Sequence, residues 1–141
     1  MNLGKVLSSI QALRSSRRKG FAVLIDPDKI GLNEVGRLAA SSEDAGVDYL
    51  LVGGSLLMGT ELDRCIREVK AACSLPVVLF PGSPAQLSAE ADALLYLSLI
   101  SGRNPELLIG AHVVSAPAVR ASGLEIISTG YMIIDGGVPT T

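Results

Sequence analysis

The chain has 141 residues, 48% of them hydrophobic and 18% charged, with a formal net charge of −2. Such a length suits a single α/β domain with a real core, and the near-neutral balance offers no basic field for nucleic acid. With no secretory h-region and no apolar run of about 20 residues, the sequence reads as cytoplasmic rather than transmembrane.

The charged fraction lies below the usual figure of about 25%, which predicts surface covered by another subunit or by a further part of the same chain. Leu3, Val6, Leu7, Ile10 and Leu13 recur at helical spacing. That helix runs out into Arg14, Arg17, Arg18 and Lys19, cations that suit a helix C-terminus. Gly20 then releases the chain into FAVLI, residues 21–25. Both side-chain parities of this stretch are apolar, as in a parallel strand covered on both faces. It stops at Asp26 and Asp28, with Pro27 stiffening the turn and Lys29 behind. Carboxylates at the C-terminal end of a strand sit where α/β proteins place their chemistry.

A second helix is expected over residues 33–45, with Gly46 as its stop. Strand two, residues 49–52, ends in Gly53, Gly54 and Ser55. Thr60 opens a helix with Asp63 as its capping-box partner, and Leu62, Cys65, Ile66, Val69 and Cys73 form the buried stripe. The eight residues between the two cysteines span about 12 Å of helix, too far for a disulfide, and both read as small apolar residues. Residues 75–80 make strand three. Ser83, Pro84 and Gln86 then carry the pattern of a capped short helix. Strand four covers residues 94–97. Asn104 and Pro105 start another short helix that ends near Gly110, and residues 115–121 form a further helical stretch stopped by Gly123. Strand material returns at 124–127 and 131–134, around Gly130.

Five strands, each after the first preceded by helix, can close as a flavodoxin-like sandwich or as half or more of a (β/α)8 barrel. A whole barrel needs about 250 residues. The chain also ends on strand material with no helix to follow, so it is expected to be cut rather than finished.

The spacing supplies several candidates for chemistry. Asp26 and Asp28 offer hard oxygens suited to Mg²⁺, or simply cap a helix start. Gly53 and Gly54 let backbone approach a ligand and can cradle phosphate, and Ser55 adds a hydroxyl to a metal shell opened by Asp26. His112, the one histidine, has no partner for a zinc site. Asn104 suits a helix cap better than a ligand contact. Tyr131 could face the strand-end mouth or the core. Asp135 echoes Asp26 by closing a strand in a carboxylate, or is a turn residue before Gly136 and Gly137.

The motifs LIDPDK (24–29), VGGS (52–55), LFPG (79–82), NP (104–105) with IGAH (109–112), and TGYMIIDGG (129–137) occur in that order. Together they resemble the prenylglyceryl phosphate synthase family, which takes in geranylgeranylglyceryl phosphate synthases and bacterial relatives. The resemblance runs over nearly the whole chain. It implies roughly the first five strands of a TIM barrel, residues 1–141 forming a single incomplete barrel domain with an irregular region around the third helix. It implies an Mg²⁺-dependent prenyltransferase that joins a long prenyl diphosphate to sn-glycerol 1-phosphate, forming an ether and releasing diphosphate. By the same resemblance Asp26 and Ser55 would be the metal ligands, Asp28, Lys29, Gly53 and Gly54 would face the diphosphate, and Phe80 and Tyr131 would line the prenyl groove. The family's glycerol phosphate site lies on its last three strands, which this chain lacks. The basic residue that some relatives carry two places before the first Asp is here Leu24. The donor half of the site is therefore expected without the acceptor half, in a homo-oligomer or beside a missing C-terminal half. The competing expectations are a non-catalytic half-barrel for binding or assembly, and a different phosphate-binding TIM barrel.

Overall fold

The computed structural model describes residues 4–54, 60–134 and 137. In chain order these form α1 (Lys5–Ser15), β1 (Ala22–Ile25), α2 (Leu32–Asp44), β2 (Tyr49–Val52), α3 (Thr60–Ala72), β3 (Val77–Leu79), β4 (Ala93–Leu99), a π-helical turn (Glu106–Gly110) that runs directly into α4 (Ala111–Ser122), and β5 (Glu125–Tyr131). The five strands make one parallel sheet in the order β1-β2-β3-β4-β5. That order excludes the flavodoxin-like closure, in which the first strand moves inside the second. It is the order of successive units around a (β/α)8 barrel.

Strand parity sorts the side chains into two cores. Ile25, Leu50, Val52, Val77, Leu79 and Leu94 point to one face and pack with Val35 and Ala39 of α2, Leu62, Cys65, Ile66 and Val69 of α3, and Val119 of α4. Tyr49, Val78, Ala93 and Ile127 point the other way and meet Val6 of α1. The α1 helix thus lies across the inner face of the sheet while the other three line its outer face. Its apolar spacing, legible from residues 3–13, is used on that inner side.

The inner face is only partly covered, and this corrects the expectation for residues 21–25. Leu24, on the inner parity, is 49% exposed, and Phe21, just before β1 on the opposite parity, is 61% exposed, because β1 is an edge strand of the sheet. Other boundaries also moved. Strand three shortens to Val77–Leu79, and β5 runs unbroken through Gly130, which pairs with Ser98, whereas Met132, Ile133 and Ile134 lie outside it. The two helical pieces expected between 104 and 121 are joined, since the π-helical turn carries the chain through Gly110 without a break, and Gly123 closes α4 at φ 71°. No helix follows Ser83. Its hydroxyl accepts the Ala85 amide at 3.2 Å in a bare turn, and the Gln86 side chain is committed elsewhere.

Cys65 and Cys73 are free, as their spacing requires. The basic run after α1 behaves as a helix end: Arg14 lies in the last turn, and Arg18 pairs with Asp48, whose other oxygen accepts the Phe21 amide.

Candidate functional site on the strand-end rim

The register sets Ile25 beside Val52 and Val52 beside Leu79, so the residues that follow, Asp26, Gly53 and Phe80, come level on the C-terminal rim of the sheet. The ladder continues one step past the strands, with Gly53 N donating to Ile25 O at 3.2 Å and Phe80 N to Val52 O at 2.9 Å. A Cβ on Gly53 would lie 1.8 Å from Phe80 O, so only glycine fits where these two chains cross the rim.

Asp26 is the anchor of the rim. Its backbone oxygen accepts the Lys29 amide at 3.0 Å, closing the turn around Pro27. Its Oδ1 accepts the Asp28 amide at 3.2 Å, and its Oδ2 lies 3.2 Å from Lys29 Nζ. Lys29 is 80% exposed and this pair lies at the surface, so its attraction is soft and exchangeable. Gly54 brings the second loop against the first: a Cβ there would sit 2.4 Å from Asp26 Oδ1 and 3.0 Å from Asp28 Oδ2. The Gly54 backbone therefore lies directly against the two carboxylates, an approach that a side chain would block. Ser55, the other expected metal residue, lies outside the described residues, as does Asp135.

The donor set suits Mg²⁺. Among the described residues no group of three or more His, Cys, Asp or Glu side chains converges, so no all-protein cage exists. One or two carboxylates, completed by water and phosphate oxygens, are what this hard, strongly hydrated cation accepts.

Beside the rim, Phe80 and Tyr131 meet edge to face, ring centroids 5.5 Å apart. They join the β3 end to the β5 end and leave a cleft of about 180 Å³ lined by Pro81, Tyr96, Leu99, Leu107, His112 and Tyr131. Of the two groove candidates, Tyr131 lines this opening and Phe80 abuts Tyr131 without lining it. His112 faces the same cleft, but its Nε2 and its backbone oxygen are committed to structure. Its Nε2 donates to Leu97 O at 2.7 Å, its ring stacks on Tyr96 at 4.1 Å, and its backbone oxygen accepts the Tyr96 hydroxyl. Asn104 acts as a local cap, accepting the Glu106 amide at 3.0 Å, away from the carboxylates.

Gln86 was read from sequence only as a capping partner. It is 4% exposed, and its amide bonds to Gly54 and Gly82 beside the rim. A glutamine three residues after a serine looks like a cap. The one sequence signal that could have redirected it is the adjoining Pro81-Gly82, a turn placed at a strand end.

A sequential parallel β/α sheet with carboxylates and paired glycines on its C-terminal rim defines a section of a (β/α)8-barrel protein. The model of the PcrB family matches residues 13–140, and the chain belongs to that family. Similar proteins named geranylgeranylglyceryl phosphate synthase include one from Chitinophaga pinensis, 59% identical over 137 residues, and one from Thermococcus kodakarensis, 41% identical over 138. Each alignment takes in 97% of this chain and 54% of the relative. The fold superposes with a TM-score of 0.81 on the crystal structure of (S)-3-O-geranylgeranylglyceryl phosphate synthase from Thermoplasma acidophilum in complex with substrate sn-glycerol-1-phosphate. That match is 34% identical and covers 90% of this chain and 52% of the other. The synthase of Thermoplasma volcanium gives 0.82 at 31% identity. The chain thus spans about half the length of the relatives it matches.

Proposed function

We propose that this chain carries the donor side of a prenyltransferase site, the part that binds a long prenyl diphosphate for transfer to sn-glycerol 1-phosphate. The observation that carries this reading is the close approach at Gly54, where two carboxylates and a side-chain-free backbone meet beside an apolar cleft. In the reaction the bond between the allylic carbon and the diphosphate oxygen breaks, its electron pair leaving with diphosphate. The glycerol hydroxyl oxygen bonds to that carbon and gives up its proton to solvent. Bound at Asp26, Mg²⁺ would neutralise charge collecting on the departing diphosphate. Asp26 and Asp28 hold that position from one turn, and Lys29, freed from its surface pair, can meet a phosphate oxygen. Phe80 and Tyr131 offer apolar edges to the first isoprene units and keep water from the allylic carbon. The C. pinensis and T. kodakarensis relatives and the T. acidophilum complex support the choice of substrates.

The test is calorimetric titration of a prenyl diphosphate with and without Mg²⁺, followed by an ether-product assay with sn-glycerol 1-phosphate. Mg²⁺-dependent binding is expected, weakened about tenfold or more in Asp26→Asn, since even outer partners of a metal ligand are worth 10–100-fold. Binding without product would leave the chain a donor-binding module, a reading favoured by its covering only about half of its relatives. Preference for a sugar phosphate over the prenyl diphosphate would overturn the proposal.

A further inference from the structure

Gln86 is a buried amide with both ends used, and both partners are backbone atoms of rim loops. Its Nε2 donates to Gly54 O at 2.6 Å, and its Oε1 accepts from Gly82 N at 2.8 Å. The loop after β2 and the loop after β3 are therefore joined through one side chain. They are also pressed together: a Cβ on Gly82 would lie 2.7 Å from Gly54 O. Gly54 meets the β3 loop with its carbonyl, whereas its α-carbon faces Asp26 and Asp28.

From this geometry we infer that Gln86 is a positioning residue for the diphosphate site, holding the Gly54 carbonyl against the β3 loop and away from the space beside the two carboxylates. The inference rests on the donor-site reading above. A carbonyl oxygen turned into that space would add a third negative end to a site that must take an anion. Rotating a glycine peptide costs little, because glycine has few steric barriers of its own. Something must therefore oppose the rotation, and a buried, doubly bonded amide does so without placing a charge near the phosphates. Gln86 reaches no substrate itself; it acts through the Gly54 peptide.

Gln86→Met removes both hydrogen bonds at nearly constant volume, and Gln86→Glu keeps an acceptor for Gly82 while presenting an oxygen to Gly54 O. Two readouts are measured on the full chain: the affinity for inorganic diphosphate with Mg²⁺, and amide exchange at Gly82 against the core strands. Gln86→Met is expected to weaken Mg²⁺–diphosphate binding about tenfold, the equivalent of about 1.4 kcal/mol. It should speed Gly82 exchange by a similar factor and leave core exchange unchanged. Gln86→Glu should keep Gly82 protected and still bind poorly, which assigns the effect to Gly54; it also serves if the methionine variant does not fold. Wild-type affinity in Gln86→Met, or unchanged Gly82 exchange, overturns the inference. A wild-type chain that binds no diphosphate overturns the donor-site reading instead, and the exchange data then decide by themselves whether Gln86 joins the loops.

Discussion

At the scale of single residues, the clearest contrast is between Cys65 and Asp26. Cys65 is fully buried on the core-facing side of α3, and burial, with a smaller contribution from the Glu68 charge, pushes its thiol up from 9.0 to about 11. The unfolded chain therefore loses this proton at lower pH than the native one. The native preference for the thiol is intact below pH 9 and is lost as pH rises from 9 toward 11, by up to about 1.4 kcal/mol per pH unit. Urea midpoints measured from pH 8 to 10.5 should fall along that range and fall less in Cys65→Ser once its own lower baseline is subtracted. Equal slopes would remove Cys65 as the cause. Asp26 could be picked out from sequence because a strand-like run ending in Asp-Pro-Asp is a local pattern. Gln86 could not, because its partners Gly54 and Gly82 become neighbours only when β2 and β3 pair.

The elements tell the same story through α1. Its N-cap, Gly4, has no side chain to offer, yet the first-turn amides of Val6 and Leu7 are not left open. Glu125, 119 residues from Val6, accepts both, at 2.9 and 2.7 Å from its two carboxylate oxygens. A carboxylate at a helix N-terminus also answers the helix dipole. The first residue of β5 thus caps the first helix of the chain, and a Cβ on Gly4 would collide with it at 1.9 Å from Cδ. Glu125→Ala should cost about 1–2 kcal/mol in urea unfolding, and Glu125→Gln distinctly less. A loss within error for the alanine variant would show that water caps α1 as well as Glu125 does. Helical spacing made α1 itself readable from Leu3 to Leu13, but its cap was not, since Glu125 reaches it only once β5 joins the sheet. The joined helix at 106–122 was missed for the opposite reason: Gly110 looks like a stop, whereas hydrogen bonds with β4 meet the chain on both sides of it, Ser98 to Leu108 O and His112 to Leu97 O.

For the whole molecule, strand number was legible because each strand is a short apolar run between punctuating residues. Strand order was not, since both candidate closures share the same alternation of elements; pairing alone decides it. Coverage was misjudged as well. Residues 21–25 are apolar on both parities, the pattern of a strand covered on both faces, yet Phe21 on one parity and Leu24 on the other stay exposed at the sheet edge. Between α1 and the inner face there remains a cavity of about 480 Å³, lined by Leu13, Ala22, Tyr49, Leu51, Val78 and Leu95. An open apolar face of this kind favours association. Light scattering at tens of micromolar should give a mass above the 14.6 kDa of one chain, lowered toward it in Leu24→Lys. A single species at the monomer mass across that range would show that the face stays wet.

The long reach of Glu125 has a temporal side. A chain made from its N-terminus completes the rim loops, Asp26 through Gln86, well before it makes the residue that caps its own first helix. Roughly 40 residues separate Gln86 from Glu125, a few seconds of synthesis at about 5–20 residues per second. Until then α1 has the apolar stripe of a helix without an anchor for its first turn, and the inner face has no fixed cover at its lower end. A nascent chain halted before residue 125 would present a formed β1-β2-β3 rim above a frayed α1, and the arrival of β5 would be the event that seats the helix.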